Sequence, residues 1–126
     1  MHGPTFAGNP LACAAANASL DLFEREPRLA QAMEIGSQLR DGLEGCRALS
    51  GVRDVRVLGA IGVVQLERVP KLDALRQRFV ERGVWIRPFG DVVYLMPPLV
   101  IGSDDLAKLT AAIARVLTAA GAAGDL

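Results

Sequence analysis

Only a few groups in this 126-residue sequence have the chemistry to hold or transform a ligand. Near the start, Gly3-Pro4-Thr5 offers a compact turn with a hydroxyl, and Asn9-Pro10 follows as a helix start. A phosphate needs several N–H and O–H donors at one place, and a helix N-terminus adds its positive end. Thr5 and its turn are therefore a candidate phosphate cradle. The same residues also read as a plain loop entering a helix, because Gly-Pro-Thr is common turn chemistry. Arg87 stands at the end of a strand-like run, just before Pro88. Its planar guanidinium can hold a carboxylate through two parallel charge-assisted bonds, which a lysine cannot copy. The plainer alternative is a strand-end arginine paired with Asp91 or Glu81, worth about 0–1 kcal/mol at a surface. Lys71 and Lys108 are the two lysines, one at a helix start after Pro70 and one on the water-facing side of the last helix. His2 reads as a solvated or supporting group. Cys13 and Cys46 fit no metal or redox spacing and read as small buried thiols. Asp104-Asp105 and Glu24-Arg25-Glu26 read as caps and solvated charge.

The elements that must position these groups follow from periodicity. Asn9 as cap and Pro10 at the first helical position open a helix through Leu11 to Arg25. After Pro27, a stripe of Leu29, Met33, Gly36, Leu39 and Leu43 predicts a second amphipathic helix ending at Gly45. Val52–Leu58 and Ile61–Leu66 are β-branched runs around Gly59-Ala60, and Gly62 inside the second suggests a close approach or a bulge. Leu72, Leu75, Phe79 and Val80 mark a third helix closed by Gly83. Val84–Arg87 and Val92–Met96 read as strands joined by a turn at Pro88-Phe89-Gly90-Asp91. Alternation puts Trp85 and Arg87 on one face, and Tyr94 and Met96 together on another, where their expected role is packing. Ser103 reads as the cap of a last helix whose buried face is Leu106, Leu109, Ile113, Val116 and Leu117, with Asp104 and Asp105 at the positive end of its dipole. The tail 119–126 is expected to fray. The order implies an α+β fold: one small domain, a small sheet with helices on one face, residues 26–118, preceded by a loop and helix over 1–25.

Composition narrows the functional classes. Half the residues are apolar and aromatics are scarce, so aliphatic and alanine packing fills the core. The 14 basic and 14 acidic residues cancel, and no basic block points to nucleic acid or to a membrane surface. No apolar run approaches the ~18 residues of a membrane span, and the first residues do not form a signal peptide. The cytoplasm is the expected location, with small molecules as partners.

Three stretches carry a resemblance: His2-Gly3-Pro4-Thr5-Phe6 with Gly8-Asn9-Pro10-Leu11-Ala12-Cys13-Ala14, then Gly83-Val84-Trp85-Ile86-Arg87-Pro88-Phe89-Gly90, then Tyr94-Leu95-Met96-Pro97-Pro98. In this order they resemble the class III aminotransferases of the fold-type-I, pyridoxal-phosphate-dependent group, in which such a segment forms the C-terminal small domain. The second and third strings are most similar to the branch that moves an amino group from S-adenosylmethionine to 8-amino-7-oxononanoate in biotin synthesis. Ala7 departs from the methionine usual there, and Leu99 from a common aromatic. The resemblance implies that Pro4 and Thr5 contact the phosphate of pyridoxal 5'-phosphate bound in the other subunit of a homodimer. It also implies that Gly3 lies against substrate and that Arg87 binds the substrate carboxylate. It assigns no catalytic residue here, because the lysine that holds the cofactor belongs to an upstream large domain. Met1 stands at a position internal to the family's chain, so the sequence reads as a segment, expected to be inactive alone. Alternatives are another class III enzyme acting on an ω-amino acid, or a non-catalytic dimerisation module.

Overall fold

Asn9 begins the first helix by supplying the acceptor that the missing preceding turn cannot. Its Oδ1 accepts from the Leu11 and Ala12 amides at 3.0 and 3.2 Å, and Pro10 gives up only an N–H with no intrahelical partner. In the computed structural model, which describes residues 3, 5–69 and 71–126, the expectations placed on His2, Pro4 and Pro70 lie outside the described residues. Helix α1 spans Pro10–Arg25 and buries none of its residues. Cys13 is accordingly exposed, against the expectation of a buried thiol: it lies on a helix with no buried face. The chain forms two compact units, residues 1–30 and 31–126, where the sequence pattern suggested a single domain. The division falls inside α2, Arg28–Leu43.

The second unit is α+β, with helices and strands around one core. After α2 come a 3-10 turn, Glu44–Ala48, then β1 (Val52–Leu58), β2 (Ile61–Leu66), α3 (Leu72–Glu81), β3 (Val92–Leu95) and α4 (Ser103–Ala122). The strands form an antiparallel sheet in the order β1-β2-β3. Register places Val55 beside Val64 and Val64 beside Val93, with Gly62 beside Leu95. Because side chains alternate across a strand, this one face of the sheet enters the core. There it meets Ile35, Leu39 and Leu43 of α2, Leu75 and Phe79 of α3, and Leu106, Ile113, Val116 and Leu117 of α4. The opposite face carries a polar chain in which Arg56 donates to Asp54 and Gln65, and Gln65 donates to Asp91. Gly62 is required by a close approach: a methyl there would sit 2.9 Å from Leu43 Cδ1 and 3.2 Å from Leu39 Cδ2. The register irregularity lies instead between Val52 and Asp54.

Several local readings are corrected. Only the C-terminal part of the α2 stripe is buried, Gly36, Leu39 and Leu43 together with Ile35, whereas Leu29 and Met33 are exposed. The sheet reaches this helix only along its second half, where the Gly59 turn and Gly62 abut it. Gly45 does not stop α2, because the chain tightens into the 3-10 turn from Glu44. In α3, Val80 faces outward while Leu75 and Phe79 are buried. Val84–Arg87 is extended but joins no ladder among the described residues. Its continuation meets β3 only through the Phe89–Val92 bridge. Ser103 is the first residue of α4 and not its cap; the cap is Gly102, and the Ser103 carbonyl accepts from Gln38 Nε2 at 2.6 Å. Residues 119–126 continue and close the last helix where the sequence suggested a loose end. Helix α4 runs to Ala122 and closes with Asp125 N–H on the Ala120 carbonyl and Gly124 N–H on the Gly121 carbonyl, with Gly124 at φ 69°. That is the Schellman pattern, for which glycine supplies the left-handed residue. Asp125 then accepts from Lys71 at 3.1 Å and Arg78 at 2.6 Å, and Leu126 packs on the core.

Candidate functional site

Arg87 emerges from an extended segment in which alternation alone sorts the side chains. Ile86 and Pro88 are buried, while Trp85, 83% exposed, and Arg87 point outward. This is the facing read from the sequence, retained although no strand forms. Neither of the ion pairs offered as the plainer alternative for Arg87 forms among the described residues. Asp91 accepts from Gln65 at 2.9 Å, which holds its carboxyl below the usual range, and Glu81 accepts from Gln77 at 3.0 Å. Among the described residues Arg87 has no hydrogen bond or ion pair. It borders a cleft of about 400 Å³ whose walls include Trp85, Tyr94, Met96, Pro97 and Leu109. An unpaired guanidinium beside aromatic and thioether surface can seat a carboxylate that carries an apolar tail.

Tyr94 and Met96 were read as packing residues, and the structure revises that. Val93 and Leu95 enter the core, while Tyr94, 41% exposed, and Met96 turn out into the Arg87 cleft. The signal was present in the period-two alternation that put both on one face. What it lacked was which face is buried, and that is decided by register with β2.

The phosphate-cradle reading is only partly met. Residues 5–8 form turns and Asn9 N–H donates to the Phe6 carbonyl at 3.1 Å. The Thr5 hydroxyl is exposed and makes no hydrogen bond within the described residues, so it is available as a donor. The first-turn amides of α1 are not. Leu11 and Ala12 donate to Asn9 Oδ1, and Cys13 donates to the Asn9 carbonyl. The helix therefore offers the field of its positive end but no spare N–H groups there. A methyl added at Gly3 would meet nothing within 4 Å, so its role rests on what approaches from outside. Pro4 lies outside the described residues. Thr5 and Arg87 belong to different units.

Both lysines are engaged as cations. Lys71 donates to Asp125, and Lys108 donates to Asp105 at 2.8 Å. The Asp105 carboxylate raises the Lys108 ammonium above its ordinary range, which opposes the neutral amine that covalent chemistry with a carbonyl needs. Among the described residues no helix is long and apolar enough to cross a membrane.

The class-III aminotransferase family model matches residues 1–117. The chain is 45% identical over 113 residues to the adenosylmethionine-8-amino-7-oxononanoate aminotransferase of Corynebacterium glutamicum, covering 90% of this chain and 27% of that relative. Among solved structures, the enzyme of that name from Methanocaldococcus jannaschii superposes with a TM-score of 0.79 at 27% identity, covering 94% of this chain and 30% of that one. The omega transaminase from Pseudomonas jessenii in complex with PMP superposes with a TM-score of 0.84 at 27% identity, covering 98% and 30%. The chain thus spans about a quarter of the length of the curated relative it matches.

Proposed function

This chain belongs to the class-III aminotransferase family, and on that premise we propose that it supplies the substrate-carboxylate and cofactor-phosphate contacts of a pyridoxal-phosphate-dependent transaminase. The reaction we infer is amino transfer from S-adenosylmethionine to 8-amino-7-oxononanoate. The observation that carries this reading is Arg87, unpaired at the mouth of the cleft walled by Trp85, Tyr94 and Met96. The inferred acceptor is a long aliphatic chain ending in a carboxylate. Arg87 takes the carboxylate through two N–H donors, and the apolar walls remove the chain from water at about 25 cal/mol per Å².

Thr5, with Pro4 and Gly3 beside it, is our assignment for the phosphate side. The free Thr5 hydroxyl and the positive end of α1 fit a phosphate, although the first-turn amides are already taken. When bound, pyridoxal phosphate supplies the electron sink and the amine-carrying carbon. The residues of this chain then serve to anchor and orient: Thr5 donates to a phosphate oxygen, in our reading across a homodimer, and Arg87 fixes the far end of the substrate. Neither Lys71 nor Lys108 is disposed to hold the cofactor covalently, since each is a paired cation. The amine for that role comes from outside this chain, and the 126-residue polypeptide alone is inactive.

Two measurements test the reading. In an active transaminase containing this segment, Arg87→Lys raises KM for the carboxylate substrate; an unchanged KM refutes the assignment. Purified 126-residue chain mixed with pyridoxal phosphate gives neither turnover nor a new absorption band, and either signal overturns the inactivity. The second reading, an omega transaminase, draws support from the TM-score of 0.84 to the Pseudomonas jessenii structure. Identity of 45% to the Corynebacterium enzyme over 90% of the chain favours the first. A panel of amino donors separates them: turnover with S-adenosylmethionine supports the first, and turnover with simple ω-amines alone supports the second.

A further inference from the structure

The backbone that carries Arg87 has few ties of its own. Val84 N–H donates to the Phe79 carbonyl at 3.1 Å on one side, and Phe89 and Val92 exchange bonds at 2.9 and 3.0 Å on the other. Between them, Trp85, Ile86 and Arg87 form no backbone hydrogen bond among the described residues. Burial of Ile86 and Pro88 holds alternate residues inward, but apolar contact is non-directional and does not by itself set how the peptide planes turn.

One polar side chain reaches the far edge of this gap, at Pro88. Arg76, on α3, donates from Nη2 to the Pro88 carbonyl at 3.4 Å, and from Nη1 to the Asp73 carboxylate at 2.9 Å. Its Nε is buried without a partner. Arg76 and Arg87 also border one small cavity of about 290 Å³, with Val80, Trp85 and Ile86 between them. The contact to Pro88 is long and weak as an energy term. Its leverage lies in position, because it grips the Pro88–Phe89 peptide, which the proline ring, with its fixed φ, joins to Arg87.

We propose that Arg76 is a positioning residue for Arg87: by holding the Pro88 carbonyl it fixes, through the proline, the chain direction that presents the Arg87 guanidinium to a substrate carboxylate. This rests on the reading of Arg87 as the carboxylate ligand. Helix α3 thereby becomes part of the recognition apparatus, with Asp73 steadying the Arg76 head.

The test is steady-state kinetics in an active transaminase containing this segment. Arg76→Met keeps the aliphatic stem and removes the donors. It raises KM for the carboxylate substrate by roughly tenfold while kcat stays within about twofold, as expected for lost binding without lost chemistry. Arg76→Lys recovers part of that loss. In the Arg87→Lys background, Arg76→Met adds less than about twofold, because coupled residues are not additive. A merely structural residue would show no such dependence on background. An unchanged KM in Arg76→Met overturns the proposal, as does an equal rise in both backgrounds. If Arg76→Met does not fold, Arg76→Lys decides: a background-dependent rise of about threefold supports the proposal, and none overturns it. If Arg87→Lys itself leaves KM unchanged, the carboxylate reading fails first and the proposal falls with it.

Discussion

Replacing Gly36 by alanine destabilises the 31–126 unit, although helix propensity alone predicts the reverse. In an exposed helix interior this change gains about 1 kcal/mol. Gly36 is buried in α2, and a methyl there would lie 2.5 Å from the Gly59 carbonyl oxygen and 3.3 Å from its carbon. The obstacle is backbone, in the two-residue turn closed by the Leu58–Ile61 rung, where Gly59 itself holds φ 52°. Carbon and oxygen rest comfortably at about 3.3–3.6 Å, so helix and hairpin must separate by close to an ångström. Overpacking costs about 1–3 kcal/mol, and a backbone obstacle at this distance puts it at the upper end, about 2–3 kcal/mol. Separation also loosens Leu39 and Leu43 against Gly62, where the fit is already close. The clash exceeds the propensity gain, for a net loss of about 1–2 kcal/mol. For a unit of this size each kcal/mol moves Tm by about 4–8 °C, so Gly36→Ala melts roughly 5–15 °C lower. Circular dichroism during thermal and urea unfolding measures this. Gly45→Ala is the control, since nothing lies within 4 Å of its added methyl, and it melts at or slightly above the parent. A Gly36→Ala protein as stable as the parent, or equal shifts in both variants, refutes the reasoning.

Phe79→Ala, which empties a fully buried site in the core, costs about 3–5 kcal/mol and shows as a lower urea midpoint. Asp125 is held below the ordinary carboxylate range by its hydrogen bond from Lys71 and then by that from Arg78. A depressed carboxylate contributes stability above its unfolded pKa and loses it as pH falls through the lower folded value. The C-terminal clasp therefore persists through neutral and mildly acidic pH and opens only below the usual carboxylate range, whereas Asp125→Asn flattens that acid limb. Burial pushes the Cys46 thiol up, while Cys13 is exposed. Under native conditions a thiol reagent followed by mass spectrometry labels Cys13 first, and Cys46 only in denaturant; equal labelling contradicts the burial.

Some features were legible because their causes are local. The α1 boundary follows from Asn9 and Pro10, whose capping chemistry needs only the next turn. The β1 and β2 limits follow from β-branched runs on either side of Gly59-Ala60. Arg87 stood out as a candidate because guanidinium chemistry and the following proline are visible in one dimension, and its facing with Trp85 comes from alternation. What was misread depended on distant partners. Met33 sits in a valid helical stripe, yet the sheet meets only the later half of that helix. The 119–126 tail is alanine- and glycine-rich with no apolar stripe, yet Lys71 and Arg78, far back in the chain, take hold of Asp125.

The sequence by itself determined the four α-helices and the three strands of the sheet, though not that Val84–Arg87 stays outside it, along with the family of the chain and the types of group able to bind phosphate and carboxylate, because these rest on side-chain identity and short-range periodicity. Tertiary structure decided which of those groups are free. Asn9 consumes the amides that a phosphate would have used, Asp105 and Asp125 occupy the lysines, and Gln65 draws Asp91 away from Arg87. It also decided that Tyr94 and Met96 wall the Arg87 cleft and that Arg76 reaches the carbonyl of the proline after it. Each of these is a pairing or a facing set by packing and register, and local sequence carries no record of which distant partner a polar group will find.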